Sequence, residues 1–542
     1  VARVWDRYES RKKAENSLDF DDLLVKTVEL LKGNEQVREH YQSKWEYIHI
    51  DEYQDTNEVQ YLMSKILADN NKNICAVGDA DQNIYSWRGA NLKNILSFEK
   101  DYKNAKIVLL EENYRSTQNI LEAANEVIKK NQFRPDKNLF TKNKEGEKLS
   151  LYEALDESDE AEFVAVKVLE IRDKDEPVQN FLSRGSRPVL REGRSEENFA
   201  QVESLENEPE SKFSQVLGFP SPSARPDHSK ILSGSTFPDI AVLYRANFQS
   251  RILEESMLRY NIPYQVLGVK FFERKEIKDT LAYLRAALNP ESLSDIKRII
   301  NFPGRGIGKT TLAKIFAGQK NELPIKMQIK LQNFYTLLEE IKNIIEKEKP
   351  SEVIKYVVKK TGVEDELLSG GEEEMERLEN IKELATLALK YDNLPASPAG
   401  RENGLGTEKL LEDAALASDQ DSLIINVGSA RQDLAEKTKV KLMTVHAAKG
   451  LEFDYVFVVG LEDGLFPNQR GGEVRSAEDS EEERRLFYVA LTRAREKIYL
   501  SFANYRTIFG SRQINVPSEF LNDIPGDLIE RERGNILKTI YL

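Results

Sequence analysis

Short apolar runs that stop abruptly at polar residues punctuate this chain. Tyr47-Ile48-His49-Ile50 runs into Asp51-Glu52, Ile74-Cys75-Ala76-Val77 into Gly78-Asp79, and Ile107-Val108-Leu109-Leu110 into Glu111-Glu112-Asn113. Ile240 to Tyr244 runs into Arg245, and Tyr455 to Val459 into Gly460. Near-continuous apolar runs alternating with helical patterns predict parallel strands buried on both faces, an α/β architecture. In such sheets ligands bind beyond the carboxyl ends of the strands. The polar residues that end these runs are therefore candidates for a site. From Thr280 to about Leu434 the pattern changes. Leu281, Leu284 and Leu288 keep helical spacing, and Asn333 to Glu348 is a Lys/Glu-rich helical segment. This stretch reads as a mostly helical insertion, with strand texture returning from Val440.

Two stretches follow neither period. Residues 172–237, which include Phe219-Pro220-Ser221-Pro222-Ser223, are rich in Ser, Pro, Gly, Glu and Arg and read as a disordered insertion. Asn393 to Thr407 reads as a short Pro/Gly loop. A length of 542 residues suits roughly three or four domains. The 92 acidic and 78 basic residues leave a net charge of −14, which excludes a uniformly basic nucleic-acid coat protein but not a local basic groove. One cysteine, Cys75, excludes an internal disulfide framework and a Cys-cluster metal site, and suits a reducing compartment. No apolar run is long enough to span a membrane.

Asp51-Glu52-Tyr53-Gln54-Asp55-Thr56 carries the first chemical signal. Of two adjacent carboxylates at a strand end, one can hold Mg²⁺ and the other can orient and deprotonate water. After the next run, Gly78 permits a tight turn and Gln82 is a neutral side chain able to sense a terminal phosphate. Tyr85, Trp87 and Arg88 follow, suited to stacking bases and bridging phosphates, or alternatively to an aromatic core contact. Arg493 follows an apolar helical stripe that includes Leu486, Val489 and Ala490. It either reaches a cleft or pairs with Glu481, Glu482 or Glu483 at the surface. Gly306-Ile307-Gly308-Lys309-Thr310 imitates a phosphate loop, but Pro303 stands where that loop needs glycine.

These segments resemble the superfamily 1 DNA helicases of the UvrD/PcrA/Rep type. Asp51 to Thr56 is similar to their motif II, Val77 to Ala90 to motif III, and Glu112-Asn113-Tyr114-Arg115-Ser116 to motif IV. Thr444 to Phe453 lies in the likeness to motif V, and Glu481 to Arg495 in that to motif VI. The resemblance implies two RecA-like parallel-sheet motor domains, the first incomplete, with a mostly helical accessory domain inserted in the second. The expected division is 1–17 as a remnant of a first accessory domain and 18–111 as the partial first motor. The second motor would be 112–280 and 435–542, and the helical accessory domain 281–434. The resemblance also implies roles. Asp51 would coordinate Mg²⁺, Glu52 would be the general base, and Gln82 would sense the γ-phosphate. Tyr114 would stack on adenine and Glu452 would sit near the nucleotide. Arg115 and Arg493 would act as arginine fingers. Tyr85, Trp87 and His446 would touch single-stranded DNA. Arg305, Gly306, Gly308, Lys309 and Thr310 would contact duplex backbone.

The activity so implied is ATP-driven, 3′-to-5′ translocation on single-stranded DNA and at single/double-strand junctions. It would serve repair or replication, alongside proteins of those processes, in a bacterial cytoplasm. In the family the phosphate loop lies upstream of motif II, and these 542 residues contain none. The chain is thus expected to be a truncated motor, inactive alone. The alternative is a DNA-binding or regulatory module that has lost its ATPase. An upstream phosphate loop in the gene would separate the two.

Overall fold

The computed structural model describes residues 2–135, 137–175, 238–316, 319, 322–392, 404–419, 439–469, 476–508 and 510–532. The first two apolar runs form β1 (Ile48–Ile50) and β2 (Ile74–Ala76), paired in parallel with Ile48 opposite Ile74. Helices Phe20–Gly33, Glu35–Lys44 and Glu58–Ala68 accompany them. Asp19 caps the first of these, its side chain accepting from the Asp22 amide in a capping box.

The remaining runs build one large sheet. Its strands are β3 (Leu149–Ala154), β4 (Ile240–Tyr244), β5 (Tyr264–Val266), β6 (Val440–Thr444), β7 (Phe453–Val458), β8 (Ala494–Ala503) and β11 (Ile529–Arg531). Their order is β11-β3-β8-β7-β4-β6-β5, every pairing parallel. Strand β4 is an interior strand, with Val242 facing Leu442 on one side and Phe457 on the other. All five of its residues are buried, as a strand covered on both faces requires. A short antiparallel pair, β9 (Tyr505–Ile508) and β10 (Ser511–Ile514), stands apart from it.

The middle of the chain is helical, as its leucine spacing predicts. Helices Lys275–Leu288, Ile325–Ile345, Pro350–Thr361 and Glu372–Ala388 share a core containing Leu281, Leu284, Phe334, Leu338, Val357 and Leu384. Among the described residues, no helix is long and apolar enough to cross a membrane.

Three expectations need correction. Ile107–Leu110 is not a strand. Its side chains are 48–79% exposed, and apolar character without a neighbouring strand to accept its hydrogen bonds makes no ladder. The irregular stretch 172–237 lies outside the described residues from 176 onward, and residues 172–175 instead continue helix Glu157–Asp175. The loop at 393–407 lies outside them up to 403, and its last four residues open helix Gly404–Asp419.

Candidate nucleotide and nucleic-acid site

Asp51 and Glu52 follow β1 directly, both exposed. The Asp51 carboxylate accepts from the Glu52 amide at 2.9 Å. Glu52 adopts a left-handed backbone, φ +49°, a conformation that costs a non-glycine residue about 1–3 kcal/mol and concentrates at functional sites. The buried Gln54 amide ties this turn to the next one. Its Nε2 donates to Glu52 Oε2 at 2.5 Å, and its Oε1 accepts from the Asp79 amide at 2.9 Å. Gly78 makes that approach possible, because a Cβ there would lie 2.6 Å from Gln54 Oε1. Gln82 donates from Nε2 to Asp79 Oδ2 at 2.9 Å.

The facing residues come from the large sheet, at the opposite strand ends from those anticipated. Glu452 and Arg493 immediately precede β7 and β8, whose first residues Phe453 and Ala494 are paired, and the Phe453 amide donates to Arg493 O at 2.9 Å. The residues at the carboxyl ends have structural partners instead. Arg245 is clamped by Glu483 at 2.6 Å, and the Gly460 amide donates to buried Glu160.

Arg115 donates from Nε to Glu452 Oε2 at 2.6 Å and from Nη1 to Thr492 O at 3.2 Å. Arg495 holds the other Glu452 oxygen. Hydrogen bonds from Arg495 and then Arg115 pull the Glu452 carboxyl down to about 2. Arg493 is 2% exposed and, among the described residues, forms no ion pair with a glutamate. It donates to Val489 O at 3.0 Å, Leu451 O at 3.2 Å and Thr492 Oγ1 at 3.1 Å. Glu481, Glu482 and Glu483 have other partners: Arg485, Ser86 and Arg245. Burial, then the neighbouring Arg115 guanidinium, lowers Arg493 to about 10. An under-compensated buried cation of this kind is ready for an anion. Tyr114, next to Arg115 in the chain, has 78% of its surface exposed, and its hydroxyl donates to Glu112 at 3.1 Å.

The aromatic residues meet at the seam between the two parts. Tyr85 and Trp87 lie with ring centres 6.5 Å apart, and His446 sits 6.3 Å from Tyr85 and 6.4 Å from Trp87, edge-on to the latter. The Tyr85 hydroxyl donates to His446 O at 3.2 Å. Trp87 remains 43% exposed with the Arg88 guanidinium 4.5 Å above its ring, so it is a surface platform and not a core contact. Lys449 crosses the same seam, donating to Asp55 Oδ2 at 2.5 Å and Gln82 O at 2.7 Å.

The Arg305 turn is built differently from the expectation. Its guanidinium donates to Ile299 O, Phe302 O, Pro303 O, Tyr283 Oη and Thr361 O, so it braces the turn and is not free to grip phosphate. Gly306 takes φ +70°, Gly308 is exposed, and helix Lys309–Phe316, which includes Thr310, follows. The turn belongs to the helical part, where Ile307 is buried in its core.

Sequence reasoning missed Lys449, Arg495, Gln54, Arg134 and Lys137. The first three lie inside segments already singled out. No local pattern marks the last two.

The UvrD-like helicase C-terminal domain family matches residues 108–186 and 228–505, and the UvrD/REP helicase N-terminal domain family matches residues 1–103. The chain belongs to the UvrD-like helicase family. A relative from Staphylococcus epidermidis named ATP-dependent DNA helicase PcrA is 38% identical over 559 residues, covering all of this chain and 66% of that protein. One of the same name from Staphylococcus aureus is 38% identical over 558 residues, with the same coverage. The chain thus spans just under two thirds of the length of these curated relatives. Kinship to UvrD-like helicases accounts for the order of the segments described above.

Proposed function

We propose that this UvrD-like chain is the larger part of an ATP-driven DNA translocase and helicase. The observation that carries the reading is the seam itself. The two parts that present carboxylates and arginines to each other also supply the two walls of the aromatic slot, joined by the Tyr85 hydroxyl and His446 O. Movement at a nucleotide therefore moves the slot.

In this reading ATP lies between the parts, its phosphates between Glu52 and Gln82 on one side and Arg115 and Arg493 on the other, its base on Tyr114. Glu52 takes a proton from the attacking water. Arg115 and Arg493 stabilise charge on the transferring phosphoryl group, a contribution worth about 10³–10⁵ in rate for such fingers. The exposed Asp51 carboxylate, with one backbone hydrogen bond, fits a hard cation and would hold Mg²⁺, which when bound neutralises phosphate charge. Bases stack on Trp87, Tyr85 and His446. The backbone of the Gly306–Gly308 turn and the start of helix Lys309–Phe316 meet duplex phosphates at a junction.

The reading divides the chain into motor units 18–111 and 112–280 with 435–542, a helical accessory unit 281–434, and a leading segment 1–17. A repair or replication role and work beside proteins of those processes belong to it. These 542 residues contain no phosphate loop, and we expect them to hydrolyse ATP poorly by themselves, since no such lysine meets the β/γ-phosphates. The test is strand displacement by the full-length natural protein on duplexes with a 3′ or a 5′ single-stranded tail. The reading expects ATP-dependent unwinding from the 3′ tail. Unwinding from the 5′ tail alone refutes the direction, and unwinding of neither refutes the helicase reading.

A further inference from the structure

The loop after β2 is fastened to the other part of the molecule as well as to its own. Ile84 is fully buried and belongs to the same core cluster of the large sheet as Ile120, Ala124 and Val489. Two cations that follow helix Gln118–Ile128 complete the attachment. Arg134 grips Asp81 in a fork, Nε to Oδ1 at 3.1 Å and Nη2 to Oδ2 at 2.9 Å. Lys137 pairs with Asp79 and lies 3.3 Å from Asp81. The Arg134 fork also donates to Lys137 O at 3.1 Å, which fixes the two cations relative to each other. The Asp81 side chain is 1% exposed and those of Arg134 and Lys137 are 12%. Two carboxylates and two cations make a neutral cluster, the condition under which buried charges are tolerated. Burial opposes ionisation of Asp79, yet Lys137, with the hydrogen bonds from Gln82 and the Asp81 amide, outweighs it and holds the carboxyl below its ordinary range.

Asp79 is the node from which the reacting groups are set. Its Oδ2 accepts from Gln82 Nε2, its Oδ1 accepts from the Asp81 amide at 2.9 Å, and its own amide donates to Gln54, which in turn donates to Glu52. We propose that Lys137 and Arg134 are positioning residues, which hold Asp79 and Asp81 across the seam and thereby set Gln82 and, through Gln54, Glu52. The inference rests on the reading of Glu52 as base and Gln82 as phosphate sensor. It adds that one motor unit tunes the hydrolytic groups of the other through this cluster, separately from the arginine fingers.

The test is steady-state ATPase of the full-length natural protein with saturating oligo(dT), comparing wild type, Lys137→Ala, Lys137→Arg and Arg134→Lys, each with its thermal midpoint. Misplacing a reacting group by about an ångström costs on the order of a hundredfold. Lys137→Ala is expected to lower kcat by roughly tenfold to a hundredfold, with KM for ATP changed far less, and Lys137→Arg to restore most of it. Arg134→Lys keeps the charge but loses the fork, so it lowers kcat by several-fold and serves if Lys137→Ala does not fold. Wild-type kcat in folded Lys137→Ala, or in Arg134→Lys, overturns the inference, whatever the thermal midpoint does. Absence of DNA-stimulated ATPase in the wild type instead refutes the underlying functional reading.

Discussion

Replacing Arg493 with methionine separates a phosphate-binding arginine from a structural one. Arg493 is 2% exposed, and burial lowers its guanidinium well below its ordinary range, to about 10. A gap of about 2.5 at 1.36 kcal/mol per pH unit is about 3 kcal/mol held against the cation at neutral pH. The sign is that of a depressed base. The cost is present below the folded value and disappears as pH rises beyond about 10, a range no assay uses. Arg493→Met removes the cost and keeps an unbranched side chain of similar reach. It also removes the three charge-assisted hydrogen bonds to Val489 O, Leu451 O and Thr492 Oγ1, at about 1.5 kcal/mol or more each. The two effects largely offset each other, so the variant should unfold in urea within about 2 kcal/mol of wild type. A buried ion pair broken by the same substitution would cost about 3–5 kcal/mol. The companion measurement is thermal stability with inorganic pyrophosphate, which should raise the wild-type midpoint and raise that of Arg493→Met much less. A loss of 3 kcal/mol or more in urea, or an equal pyrophosphate shift in both proteins, refutes the reasoning.

Trp87→Ala should weaken binding of a labelled oligo(dT) by about 1–3 kcal/mol, roughly five- to 150-fold, read by fluorescence anisotropy, while Trp87→Phe keeps most of the affinity. Gly78→Ala places a Cβ 2.6 Å from Gln54 Oε1 and 3.1 Å from the Tyr53 amide nitrogen, so it should destabilise by about 1–3 kcal/mol in a urea melt. Glu452, held at about 2 by Arg495 and Arg115, contributes stability that is complete above its ordinary 4.5 and lost as pH falls toward 2. Acid unfolding of Glu452→Gln should therefore be shallower over that interval than that of wild type, and identical curves would contradict the pairing.

The large sheet was legible because β4 and β7 are apolar nearly throughout. Strand β8 was less so, since Ala494-Arg495-Glu496-Lys497 opens it with charge that edges toward the site. Ile107–Leu110 shows the limit of the pattern, because apolar residues specify a strand only when a partner lies beside them. The carboxylates and arginines were visible through residue type and order. Their partners were not. Lys449 and Asp55 are 394 positions apart, and Lys137 and Asp79 are 58 apart. Arg305 misled because its partners are mostly backbone carbonyls, which no sequence displays.

The account stands or falls on Glu52 acting as the base of a DNA-stimulated ATPase. The direct measurement is ATP turnover by the full-length natural protein and its Glu52→Gln variant, with and without oligo(dT). The account predicts that DNA stimulates the wild type, and that Glu52→Gln loses about 10²–10⁴ in kcat while still binding ATP. Wild-type turnover by Glu52→Gln would contradict it.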